Sequence, residues 1–159
     1  MSAVRRARGG GLRVGVSSDG VRGAVSAARL ADAARAVLRA EGVRDALLSV
    51  TLVSRSAMAR LNRRHLGHAG ATDVISFGFA PAPGEGVVGD IYICPDVARD
   101  NAKAAGCGVR EELLRLVVHG TLHVLGWDHP GNADRTASTM WVRQERLLAA
   151  VVRRPVRRA

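Results

Sequence analysis

Between Val109 and Leu125 the chain passes through Leu113, Leu114, Leu116, Val117, Val118, Leu122, Val124 and Leu125 and leaves almost no polar face. A helix of that kind is predicted to lie at the centre of a fold, buried on most sides. Set into it are His119 and His123. Residues four apart on a helix share one face, one turn from each other, which is a chelating arrangement for a metal ion. Gly126 follows where a left-handed residue would end the helix, and the chain can then turn back to offer His129 as a third ligand. Three imidazoles with a fourth position open to water describe a catalytic zinc site rather than a closed structural one. Any one of these histidines alone reads more simply as a packed or capping residue. As a set they do not, because neighbouring buried imidazoles are costly unless something satisfies them, and a metal does so directly. One Zn(2+) per chain on His119, His123 and His129 is the expectation.

A chain of 159 residues that is 47% hydrophobic can bury one core and has no room for two ordinary domains. A single domain is expected over residues 11–152, between a flexible basic arm at 1–10 and a flexible basic tail at 153–159. No apolar stretch approaches the roughly 18 residues that a membrane helix needs, and the N-terminus lacks the apolar core of a secretory signal. A soluble intracellular protein without a membrane partner is expected. Cys94 and Cys107, too few for a disulfide scaffold and without CxxC spacing, read as reduced, packed thiols.

The formal charge is +10, of which Arg5, Arg6, Arg8, Arg153, Arg154, Arg157 and Arg158 bring +7. A moderately basic body with two cationic ends suits a polyanionic partner, because each arginine that meets a phosphate releases counterions. Solvated, disordered ends account for the same pattern.

Leu12, Val14 and Val16 alternate as a strand does, and Ala24 to Glu41 has the apolar spacing of an amphipathic helix. A strand from Ala46 to Val53, a short helix from Ser56 to Arg64 and a strand from Thr72 to Phe79 follow. The proline- and glycine-rich stretch Pro81 to Gly86 reads as a loop and Val87 to Cys94 as the fourth strand. Pro95 opens a helix reaching Ala105, and a last helix runs from about Ala133 to Val152 after the central one. Strands and helices that do not alternate regularly predict an α+β domain, with a four-stranded mixed sheet packed around the central metal-binding helix.

The spacing H-x3-H-x2-G-x2-H is also that of the metzincin proteases, in which a glutamate follows the first histidine and takes the proton from the zinc-bound water. Here that position is Gly120, so the expected general base of a peptidase is missing. Gly120 makes room for a close neighbour or a substrate, or serves helix–strand packing; the sequence leaves these open.

The run His119-Gly120-Thr121-Leu122-His123-Val124-Leu125-Gly126-Trp127-Asp128-His129 is similar to the H-G-x-L-H-L-x-G-x-D-H signature of the YbeY family. Thr72-Asp73-Val74-Ile75-Ser76-Phe77 and Gly89-Asp90-Ile91-Tyr92-Ile93-Cys94-Pro95 resemble two further blocks of the same family, in the same order. The resemblance implies a zincin-like fold and a single-strand-specific metallo-endoribonuclease acting in 16S rRNA 3′-end maturation and ribosome quality control. It implies single-stranded RNA, rRNA and the small ribosomal subunit as partners, in the cytoplasm. The three histidines carry over as zinc ligands. Asp128 matches the family's aspartate and orients a ligand from the outer shell or orders the turn before His129. Trp127 offers a stacking face for a base or packs beside the turn. A metal-dependent hydrolase of another substrate and a ribosome-associated binding factor with mainly structural zinc are the competing readings.

One departure stands out. The family loop usually reads N-x-x-Y-R-G, and its arginine is thought to assist catalysis; here the segment is Asn62-Arg63-Arg64-His65-Leu66-Gly67, with Leu66 in the arginine's place. Arg64 is the expected catalytic substitute, with Arg63 as an RNA contact and His65 as another possible donor.

Overall fold

The structure, a computed structural model, describes residues 10–79, 86–128 and 138–154. β1 (Leu12–Ser18) and β2 (Ala46–Leu52) flank α1 (Ala27–Ala40) in sequence, and α2 (Arg55–Leu66) leads to the hairpin strands β3 (Val74–Phe79) and β4 (Val87–Ile93). Among the described residues three helices follow: α3 (Pro95–Ala105), α4 (Val109–Val124) and α5 (Thr139–Arg153). The sheet order is β1-β2-β4-β3, with β1 and β4 parallel to β2 and β3 antiparallel to β4. The expected α+β class and four-stranded mixed sheet are both present.

Alternation along the strands divides the core. Leu48, Val50, Leu52, Ile91 and Ile93 belong to the main cluster, with Leu30, Val37 and Leu38 of α1 and Leu113, Val117 and Leu122 of α4. Strand residues of opposite parity, Ile75, Phe77 and Tyr92, pack instead with Met58, Ala57 and Leu61 of α2. Side chains that alternate along a strand point to opposite faces, so α2 covers the face that α1 and α4 leave. α4 touches α1, α3, α5, β3 and β4, the central position its apolar sequence predicts.

Helix ends follow side-chain caps more closely than apolar spacing. Ser26 Oγ accepts from the backbone N–H of Arg29 at 3.2 Å, so α1 starts at Ala27, three residues after the expected Ala24. Ser138 does the same for Trp141 N–H at 3.1 Å, which starts α5 at Thr139; the expected start near Ala133 falls outside the described residues. At its other end α5 runs through Arg153, where the Arg29 guanidinium donates to the carbonyls of Val151 at 3.0 Å and Val152 at 3.2 Å, and to that of Arg154. A cation at a helix C-terminus satisfies carbonyls that have no partner within the helix.

Three glycines let α4 lie close on the sheet. A Cβ at Gly120 would sit 2.8 Å from Ile91 Cγ2. Gly78 and Gly89 are cross-strand partners, and Cβ atoms there would meet Val124 O at 2.8 Å and Val124 Cγ1 at 2.5 Å. Gly120 therefore serves helix–strand packing, which decides between the two uses that the sequence left open. Among the described residues no helix is long and apolar enough to cross a membrane.

Candidate metal centre

The close seat of α4 on β3 and β4 places its last two turns beside the edge strand. His119 and His123 project from these turns with ring centroids 4.4 Å apart and planes inclined at 78°. Both are half-buried. Leu125 caps the helix and Gly126, at φ +94°, turns the chain in a region that favours glycine. The turn brings the carbonyl of Trp127 to 2.8 Å from His123 Nδ1. A carbonyl only accepts, so Nδ1 of the neutral ring carries the proton and its lone pair resides on Nε2. His119 Nδ1 lies 2.7 Å from Oε1 of Gln144.

An imidazole that ligates zinc through one nitrogen characteristically donates from the other to a carbonyl or carboxylate. The His123 contact meets that requirement, and the two rings share one helix face, so the donor pair fits a zinc ion. Among the described residues no group of three or more His, Cys, Asp or Glu is arranged to hold a metal, and His129 lies outside those residues. Asp128 is exposed. Trp127 is half-buried and packs against the main core cluster.

His119 opens onto a hollow of ≈400 Å³ lined also by Asp73, Asn101, Arg115, Trp141 and Gln144. Asp73 is fixed there: its Oδ1 accepts from Val74 N–H at 2.8 Å and its Oδ2 from the Asn101 amide at 3.1 Å. Asp90, in the other family-like block, accepts from the Ser49 hydroxyl at 2.6 Å across the strand pair. These carboxylates hold the sheet and its loops together.

Arg63 and Arg64 lie elsewhere. Both are exposed on α2 and line, with Arg60, Thr51 and Tyr92, a hollow of ≈610 Å³ that includes neither His119 nor His123. His65 stacks edgewise on Phe77 of β3, ring centroids 5.1 Å apart, while Leu66 is 50% exposed at the end of α2. Asn62 is buried and donates from its amide to Gly70 O at 2.9 Å, tying the helix to the loop that follows.

Gln144 is the site residue that motif reading missed. It is 1% exposed and sits among Met140, Leu147, Leu148 and Val151 on the buried face of α5. A glutamine at a core position of an amphipathic helix demands a polar partner, and that was the signal available in the sequence.

The family model described as Endoribonuclease YbeY matches residues 21–152. Endoribonuclease YbeY of Mycolicibacterium paratuberculosis is 42% identical over 135 residues, covering 78% of this chain and 75% of that protein. The protein of the same name from Micrococcus luteus is 40% identical over 114 residues, 67% of this chain and 71% of its own. Among solved structures, the solution structure of TM1509 from Thermotoga maritima matches with a TM-score of 0.59 at 26% identity, covering 87% of this chain and 88% of that one.

Proposed function

The chain belongs to the YbeY endoribonuclease family, and from that membership we propose that it is a zinc-dependent endoribonuclease specific for single-stranded RNA. Its place is the cytoplasm, in 16S rRNA 3′-end maturation and ribosome quality control, with rRNA and the small ribosomal subunit as partners. One zinc ion per chain is held by His119, His123 and His129. The observation that carries this reading is the His119–His123 pair at one end of the buried helix, with each Nδ1 placed against an oxygen of the protein.

When bound, zinc supplies Lewis acidity at a phosphoryl oxygen and acidifies a water molecule toward a pKa of about 7. The chain's own residues do the rest. Trp127 O keeps the His123 ring turned so that Nε2 faces the site, and Gln144 holds His119. Asp128 is assigned to orienting a ligand imidazole through its second nitrogen. Arg63 is assigned to the RNA backbone and Arg64 to the charge that develops on the phosphoryl oxygens in the transition state. A metallopeptidase reading has no support in this geometry, because Gly120 packs against Ile91 and supplies no carboxylate after the first ligand.

The test is cleavage of a defined single-stranded RNA by metal-replete and metal-stripped protein. Cleavage that is lost on stripping and restored by zinc is the expected result. RNA binding that is lost on stripping, with no cleavage by the metal-replete protein, would favour a binding factor with structural zinc, and the enzymatic reading would fall.

A further inference from the structure

The partner of His119 poses a question that the partner of His123 does not. A carbonyl dictates which imidazole nitrogen carries the proton, whereas a glutamine offers an acceptor at one end and a donor at the other. What fixes the Gln144 amide therefore fixes the His119 ring.

Gln144 Nε2 lies 3.2 Å from Oε2 of Glu145. An ionised carboxylate only accepts, so the end of the amide facing Glu145 is the NH₂ and the end facing His119 is the oxygen. His119 must then donate from Nδ1, which leaves the lone pair of the neutral ring on Nε2, the nitrogen a metal would use.

The Glu145 carboxylate is itself held in place. Arg115 donates to it as a fork, Nε to Oε2 at 3.1 Å and Nη2 to Oε1 at 3.1 Å, and such planar pairing matches a carboxylate. The guanidinium also donates from Nη1 to Glu112 Oε2 at 2.7 Å, and Glu112 is 8% exposed. Burial alone would lower the pKa of Arg115, but hydrogen bonds to Glu145 and Glu112 outweigh it and hold the group above its ordinary range. The fork on Glu145 stays cationic.

We propose that Glu145 is a positioning residue that sets the His119 tautomer through Gln144, with Arg115 and Glu112 holding it in place. The ion pairs thus serve the site in addition to joining α4 to α5. This role rests on the reading of His119 as a zinc ligand, and the two fail separately in the test.

The readout is the nitrogen chemical shifts of the His119 ring in metal-free full-length protein at mildly alkaline pH, alongside zinc affinity by competition titration. The wild type should show the Nδ1–H form. Glu145→Gln, nearly the same shape, offers Arg115 and Gln144 one acceptor instead of two; the ring should become a mixture of tautomers and zinc affinity should fall by about 10–100-fold. The double variant Gln144→Glu/Glu145→Gln returns an obligate acceptor to His119 and should restore both. Arg115→Lys, which keeps the charge but loses the fork, should give an intermediate shift and stands in if Glu145→Gln does not fold. An unchanged ring in folded Glu145→Gln or Arg115→Lys protein overturns the proposal, as does a double variant that fails to recover the wild-type form. Failure of the wild type to bind zinc would instead sink the metal reading, whatever the ring shifts show.

Discussion

His123 donates from Nδ1 to the backbone carbonyl of Trp127, 2.8 Å away, across a turn that Gly126 makes at φ +94°. The turn that follows α4 therefore also orients a side chain: the carbonyl just after Gly126 supplies the contact that fixes the His123 ring.

Replacing Gly126 tests that contact. A Cβ at this φ introduces backbone strain of roughly 1–3 kcal/mol, although none of the described residues lies within 4 Å of it. Gly126→Ala should thus lower stability by that order in a urea titration and weaken zinc binding by about tenfold or more through the displaced Trp127 carbonyl. Unchanged zinc affinity in a destabilised protein would separate the turn from the site.

The proposed ligands are tested by metal content. Purified protein should carry about one zinc per chain, and alanine at His119, His123 or His129 should each remove most of it. Full occupancy in all three variants would rule the assignment out.

How much of this was legible beforehand depends on the range of the signal. The central position of α4 and the shared face of His119 and His123 follow from local periodicity, and the left-handed turn at Gly126 from the steric freedom of one residue. Apolar spacing puts the start of α1 at Ala24 because Val25 fits it, whereas the Ser26 cap sets the boundary at Ala27. Contacts between distant segments were less legible. Gln144 lies 25 residues from His119 in sequence, and only the packing of α5 on α4 brings the two together. The reason for Gly120 was invisible for the same cause, since Ile91 is on a strand that precedes it.

The arginine-rich ends yield a prediction about salt. Residues 1–9 and 155–159 lie outside the described residues, and Arg153 and Arg154 form the end and the cap of α5, so trimming residues 1–8 and 155–159 spares the helix. As phosphate contacts, the five arginines removed should flatten the dependence of RNA affinity on salt by about 0.7 in log–log slope for each phosphate they neutralise on a single strand. Turnover at saturating RNA should not change. An unaltered slope would make these ends solvated tails.

The last prediction concerns the arginine that this chain lacks at Leu66. Arg63 and Arg64 line a hollow with Thr51 and Tyr92 that does not include the histidines, and His65 lies against Phe77 of β3. Because α2 and α4 pack on opposite faces of the sheet, the Arg64 guanidinium can steady the transition state only by reaching around a sheet edge, of which β3 is one, when RNA is bound. Loss of one transition-state donor typically costs on the order of 10²–10³ in rate, whereas loss of a phosphate contact raises KM and leaves kcat nearly alone. The two roles are therefore separable by steady-state kinetics of Arg63→Ala, Arg64→Ala and Leu66→Arg. As proposed, Arg64→Ala should lose about 10²–10³ in kcat and Arg63→Ala should chiefly raise KM. If both variants raise KM alone, Arg64 belongs to the RNA track with its neighbour and the catalytic assignment is wrong. Leu66 is exposed on the last turn of α2, where an arginine also suits the helix terminus, so Leu66→Arg should fold normally; a gain in its kcat would show that the native site works without a guanidinium that this position is able to provide.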